Sequence, residues 1–204
     1  MQKKVEFIAK TQDEAVEEAV KRLHISSDKI FVNVLGELPE GLNCEALVDV
    51  NLTLEGKKYL EGILKALNIG YKIEARSVNG EEQIHYMIDS YENSLLIGVQ
   101  GKTLEALQVL VRNLLSTYTH DHIITSLDIG GYRQNRAHQL EILATKTAKD
   151  VIKSKSPIKL KPMNSFERRV IHEKLSDWRD VYTESEGEGE DRAIVIKPRL
   201  AEEK

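Results

Sequence analysis

Apolar positions along this chain switch between a period of two, over short segments, and a period of three to four, over longer ones; each switch marks the edge of an element. Val5-Glu6-Phe7-Ile8 has the spacing of a short strand. Thr11-Gln12-Asp13-Glu14 follows with the spacing of a capping box, Thr11 as the cap and Glu14 at the third helical position returning the bond. Ala15, Val16, Ala19, Val20 and Leu23 then share one helical face, and residues 30–35 read as a second strand that completes a β-α-β unit. So small a unit buries little apolar surface alone. It is therefore expected to pack on the rest of the chain or on another molecule, the second being favoured. Residues 36–44, with Pro39 and Gly41, read as a turn or linker.

Residues 46–50 suggest a further short strand, and residues 55–68 have helical spacing through Leu60, Ile63, Leu64 and Leu67, ending before Gly70. Residues 71–77 and 83–88 alternate on either side of Asn79-Gly80, a hairpin signal. A short helix, a glycine loop at residues 98–101, a helix carrying Leu104, Leu107, Val111, Leu114 and Leu115, and a strand at 123–129 complete this block. Gly130-Gly131 breaks the chain. Beyond it, residues 132–155 form a long basic helix with Leu140, Leu143, Ala144, Ala148, Val151 and Ile152 inward, stopped before Pro157. Residues 158–160 are a strand fragment, Asn164 caps another helix with Glu167 at its third position, and strands at 181–183 and 193–196 flank an acidic loop, residues 184–191. That loop reads as a solvated hairpin that repels nucleic acid from one edge. The whole is an α+β protein.

Charge changes the picture more than bulk composition does. The formal net charge of −4 would count against a polyanionic partner, but the charge is segregated. Residues 1–129 hold 13 basic and 20 acidic side chains, a net of −7; residues 130–175 hold 11 and 4, a net of +7; residues 176–204 hold 5 and 9, a net of −4. A polyanion is attracted to the middle block and repelled by its flanks. Cys44 is the only cysteine, which excludes an intrachain disulfide and a cysteine-based zinc knuckle. The amino terminus lacks the apolar core of a signal peptide and no stretch approaches a membrane span, so the expectation is a cytoplasmic protein that reaches a membrane only through a partner.

Ile97-Gly98-Val99-Gln100-Gly101-Lys102 lies between a strand-like and a helix-like run. Without Cβ atoms, Gly98 and Gly101 let another backbone approach, while the amino end of the following helix and Lys102 favour an anion. A single-stranded nucleic acid laid over Gly98, Val99, Gln100, Gly101 and Lys102 could present its bases to the apolar surface beside the loop. A tight packed turn is the plain alternative for two glycines so spaced; Ile97, Lys102-Thr103 and the preceding pattern favour the clamp. The loop is neither a Walker loop nor a dinucleotide fingerprint. In the basic block, Arg168 and His172 are four residues apart on one helix face with Arg169 adjacent; Arg offers a planar fork and neutral His can stack or donate. Arg133, Arg136, Lys159 and Lys161 could extend this face into a groove. A solvated pair, or a His172 that ties its helix to neighbouring backbone, is the structural alternative.

The element order resembles a type II KH domain, and Leu96-Ile97-Gly98-Val99-Gln100-Gly101-Lys102-Thr103-Leu104-Glu105-Ala106-Leu107-Gln108 resembles the KH signature of the Jag family, the SpoIIIJ-associated proteins. Residues 160–172, with Arg168-Arg169-Val170-Ile171-His172, together with Thr183-Glu184-Ser185-Glu186-Gly187 and Gly131-Tyr132-Arg133, resemble the R-x-x-x-H single-stranded nucleic acid-binding domain of the same family. The resemblance implies a small N-terminal domain at 1–44, a type II KH-like domain at 45–129 and an R-x-x-x-H domain at 130–204. It implies a cytosolic RNA-binding protein without cofactor, linked to cell elongation, division or sporulation. A small KH-domain protein and proximity to a YidC-type insertase are the protein partners it suggests, while the small N-terminal unit by itself suggests a second copy bound through it. In many relatives the two residues between the glycines are basic; Val99 and Gln100 are not, so weaker, more salt-sensitive RNA binding is expected.

Nothing else assembles into chemistry. His120 and His122 lack further ligands and read as a turn, and Cys44 has no activating neighbour in sequence. No nucleophile, base and oxyanion stabiliser converge, so an enzyme is not expected. Two readings remain: a single-stranded RNA-binding adaptor, and a scaffold that pairs with another KH-like subunit and touches RNA only secondarily.

Overall fold

The computed structural model describes residues 3–199. The chain divides between Gly130 and Gly131 into two compact units.

The first unit opens with strand β1 (Lys4–Ala9), helix α1 (Gln12–Leu23) and the hairpin β2 (Ile30–Leu38) and β3 (Gly41–Val48). The sheet order is β1-β3-β2, all antiparallel, with β3 central. Helix α1 covers one face, where Ala15 and Ala19 meet Phe7, Cys44 and Ala46. The Thr11 hydroxyl accepts from the Glu14 amide at 3.2 Å, and the Glu14 carboxylate accepts from the Lys10 amide at 2.9 Å, one residue earlier than a reciprocal box would place it.

Residues 36–44 are not a linker. Pro39 and Glu40 form the tip of the β2–β3 hairpin, Gly36 follows a bulge at Leu35, and Gly41 lies where a Cβ would be 2.6 Å from the Ala9 carbonyl oxygen. Glycine and proline mark a bulge, a turn and one close approach within a continuous sheet. The strand expected at 46–50 is the end of β3, which pairs with β1 up to Leu47 and with β2 up to Val48. A domain boundary at residues 44/45 would cut the central strand, so the first sheet closes beyond Val48.

Helix α2 (Leu52–Ala66), the hairpin β4 (Tyr71–Val78) and β5 (Gln83–Ser90), short helix α3 (Asn93–Ile97), helix α4 (Lys102–Tyr118) and strand β6 (Ile124–Ile129) follow. Sheet order is β4-β5-β6, with β4 and β5 antiparallel and β5 and β6 parallel. A parallel pair needs a crossover, and α3, the glycine loop and α4 provide it. Tyr86, Ile84, Ile88, Leu127 and Ile129 bury one sheet face, with Leu60 and Leu64 of α2 and Leu104, Val111 and Leu115 of α4 also buried. Gly56 brings α2 so close that a Cβ would lie 2.0 Å from the Tyr86 hydroxyl. Asn51 caps α2 through the Leu54 amide at 2.7 Å, and the Glu81 carboxylate accepts from the Leu52 and Thr53 amides. The hairpin turn is longer than Asn-Gly alone, since Asn79, Gly80 and Glu81 all have positive φ. The first sheet is tied to this layer: Lys29 of the loop before β2 donates to the Glu55 carboxylate and to the Tyr118 hydroxyl at 2.9 Å. The β-α-β segment therefore packs on the rest of its own chain.

In the second unit, helices α5 (Tyr132–Ser154) and α6 (Ser165–Leu175) pack with a sheet of order β7-β9-β8, formed by β7 (Ile158–Lys159), β8 (Val181–Glu186) and β9 (Ala193–Pro198). Leu140, Ala144, Ala148, Val151, Ile171, Leu175, Val181, Ile194 and Ile196 make its core, with Trp178 against it. Leu143, expected inward, is exposed. Strand β8 extends to Glu186, so Glu184 and Glu186 belong to the sheet and both pair with Lys197 of β9, at 2.6 and 2.7 Å. The first three residues of the expected acidic loop are thus the end of a strand, their two carboxylates sharing one lysine.

Candidate nucleic-acid interface

The glycine loop has a backbone that side chains would oppose. Gly98 ends α3 at φ 70° and ψ −176°, Gln100 is at φ 54° and Gly101 at φ 81°, after which α4 begins at Lys102. A Cβ on Gly98 would lie 2.1 Å from the Thr103 hydroxyl and 3.0 Å from its amide nitrogen. The loop is thereby folded onto the first turn of α4. Gly101 is buried, whereas Val99 is 78% exposed and Gln100 and Lys102 are also at the surface. The amino end of a seventeen-residue helix therefore adjoins an apolar, uncharged loop tip and one lysine. Tyr91 and Leu95, just upstream, are the residues that reading the sequence missed. Tyr91 is fully exposed and Leu95 is exposed, while Leu96 is buried. The signal was available in the adjacent pair Leu95-Leu96, because only one of two successive residues in a one-turn helix can face the core.

In the second unit, α6 starts at a cap in which the Asn164 side chain accepts from the Glu167 amide at 2.9 Å. Four-residue spacing then brings Arg168 and His172 to the same side, opposite β8. His172 Nδ1 meets the Thr183 hydroxyl, His172 Nε2 lies 3.2 Å from the Ser185 hydroxyl, and Arg168 Nη1 donates to that same hydroxyl at 3.1 Å. Burial, and then the Arg168 charge, hold the His172 pKa below its ordinary 6.5, so the imidazole is neutral near pH 7. Arg168 Nε is buried without a partner. Two-residue alternation along β8 puts Thr183 and Ser185 on the α6 side and gives Glu184 and Glu186 to Lys197. Lys197 holds the Glu186 carboxyl below its usual range, with a smaller contribution from Lys159. Acidic charge is turned away from the Arg-His cluster within one strand.

The remaining expected residues are distributed differently. Arg136 is committed to an internal pair, its Nε 2.7 Å from Glu167 Oε1, and Glu167 is 3% exposed. Glu167 therefore serves Arg136 rather than returning a capping bond. Arg133 is half-buried in the first turn of α5, and Lys159 and Lys161 are exposed beside β7. Arg169 is exposed and pairs with Glu173 at 2.6 Å. Among the described residues no group of three or more His, Cys, Asp or Glu could hold a metal ion. Nor is any described helix long and apolar enough to cross a membrane.

The R-x-x-x-H domain family matches residues 138–198, a span that contains Arg168, His172, Thr183 and Ser185 and excludes the first turn of α5. RNA-binding protein KhpB of Clostridium symbiosum is 32% identical over 200 residues, covering 94% of this chain and 90% of that protein. RNA-binding protein KhpB of Bacillus subtilis is 33% identical over 195 residues, covering 90% and 93%. The chain belongs to the KhpB (Jag) family. The KhpB of Lactiplantibacillus plantarum is 35% identical over 141 residues, 69% of this chain and 43% of that relative, so KhpB proteins also occur with much additional sequence.

Proposed function

We propose that this chain is a cytoplasmic, single-stranded RNA-binding adaptor with two contact regions: the loop Gly98–Lys102 with Tyr91 and Leu95, and the Arg168/His172 cluster with Lys159, Lys161, Arg133 and Arg169 around it. The cluster carries the reading. A neutral imidazole and a guanidinium, fixed by the hydroxyls of Thr183 and Ser185, offer a planar fork and a ring at a surface whose neighbouring carboxylates, Glu184 and Glu186, share the Lys197 ammonium. Ser185 holds Arg168 Nη1, while Arg168 Nε is buried without a partner, so the guanidinium is fixed in place beside the ring. The order α2-β4-β5-α3-α4-β6, the parallel pairing of β5 and β6, and the glycine loop between α3 and α4 support a type II KH domain following a small N-terminal domain and preceding an R-x-x-x-H domain. Arg136 belongs to the scaffold of this site, through Glu167. A role in cell elongation, division or sporulation follows from the family likeness.

Ultraviolet crosslinking of the full chain to single-stranded RNA, with the adducted peptides identified by mass spectrometry, tests the reading. Adducts in peptides spanning 91–102 and 165–185 are expected; adducts confined elsewhere would overturn it. A second reading, self-association through the N-terminal unit, draws on edge strand β2, where Phe31, Val34, Leu35 and Leu38 are exposed. Mass photometry of the chain and of Phe31→Lys decides it: a dimer lost in the variant supports the pairing, and a monomer in both rejects it.

A further inference from the structure

Helix α5 carries a basic stripe that neither contact region uses. Its buried residues are Leu140, Ala144, Thr147, Ala148 and Val151. On the opposite side, His138, Ile142, Lys146, Lys149 and Lys153 follow at steps of four, four, three and four residues, so they lie along one helical face. All five are exposed. The first four border a shallow cleft of about 370 Å³ shared with Glu141 and Lys174 of α6. Lys174 and Glu141 pair with one another at 3.2 Å, which removes that carboxylate as a counter-charge for the stripe. Asp150 flanks the stripe, and among the described residues no carboxylate is ion-paired with Lys146, Lys149 or Lys153. Three cations thus remain in a row, separated by about 4.5 and 6 Å along the axis at 1.5 Å per residue.

Building on the RNA-binding reading above, we propose that this stripe is a second phosphate track, which holds the backbone of a single-stranded RNA. A line of ammonium groups at regular steps matches a chain of phosphates. An acidic peptide helix would ask for a groove with several apolar anchors one turn apart, and this cleft supplies only Ile142. The exposed Ile142 side chain gives a base face an apolar support between the lysines and His138. Phosphate contacts of this kind fix position and add salt-dependent affinity without reading sequence.

The test is a titration of fluorescein-labelled oligouridine with the full chain over a series of KCl concentrations, comparing wild type, K146Q/K149Q/K153Q and K146R/K149R/K153R. The expected result is a log–log salt slope shallower by about 2 for the glutamine variant, since each single-strand phosphate left without its lysine removes about 0.7, with the arginine variant close to wild type. Thermal unfolding of both should match wild type, because all three side chains are exposed. A wild-type chain that binds no oligouridine would defeat the RNA reading itself. Wild-type binding with an unchanged slope in the glutamine variant would overturn the track alone. Retained RNA slope with loss of polyglutamate binding would also overturn it, assigning the stripe to an acidic protein.

Discussion

Replacing Gly98 by alanine puts a methyl group where the chain has left no room. The backbone there, at φ 70° and ψ −176°, lies in a region that is essentially restricted to glycine and costs another residue about 1–3 kcal/mol. The new Cβ would also sit 2.1 Å from the Thr103 hydroxyl, 2.8 Å from its Cβ and 3.0 Å from its amide nitrogen. A rotation can move the hydroxyl; the amide belongs to the first turn of α4 and cannot move without the helix. Together the strain and the overlap should cost about 2–4 kcal/mol. At about 2 cal/mol/K per residue, this corresponds to roughly 7–15 °C in the melting of the unit ending at Gly130. Differential scanning calorimetry reads that transition, while the single tryptophan, Trp178, packs in the other unit and reports that unit separately. Removing the hydroxyl in Gly98→Ala/Thr103→Ala should restore only part of the loss, since the Cβ and amide contacts remain. RNA affinity should fall along with the loop geometry. An alanine variant with unchanged melting and unchanged affinity would refute both the described loop and its role.

Other expectations follow from the second unit and from the surface beside the loop. Arg136→Ala strips the partner from a buried carboxylate and should destabilise the Trp178 transition by about 3 kcal/mol, a cost measurable by urea titration and larger than its effect on RNA affinity. Because His172 has a lowered folded pKa, its contribution is present above its ordinary value of 6.5 and is lost as pH falls below that value, when the unfolded chain takes up a proton first. Urea titrations followed by Trp178 fluorescence should therefore show stability declining below pH 6.5 in the wild type and a flatter acid limb in His172→Gln; parallel limbs would contradict this. Tyr91→Ala should weaken oligouridine binding by about 1–3 kcal/mol if a base stacks on the ring, as measured by anisotropy, with no change in melting because the ring is fully exposed.

Periodicity made most of the architecture legible. The stripe Leu104, Leu107, Val111 and Leu115 and the alternation around Asn79-Gly80 locate the middle layer because local pattern and burial agree there. The pattern misled where glycine and proline serve inside a sheet. Gly36, Pro39 and Gly41 look like linker residues, yet β2 and β3 pair on either side of Pro39 and β1 pairs with β3, the latter a long-range fact that no local signal contains. Arg168 and His172 could be placed on one face from their spacing, but Thr183 and Ser185, which orient them, lie on a strand whose acidic neighbours dominated its reading. Arg136 looked like a ligand contact because nothing in sequence reveals that Glu167, thirty-one residues away, is buried against it.

The most direct measurement is equilibrium binding of labelled oligouridine by the full chain, by Val99→Asp/Gln100→Asp and by Arg168→Ala/His172→Ala, each checked for intact folding. Saturable binding by the wild type is expected, weakened more than about tenfold, or 1.4 kcal/mol, by either pair of substitutions. No saturable binding by the wild type, or equal affinity in all three folded proteins, would contradict RNA recognition through these two regions.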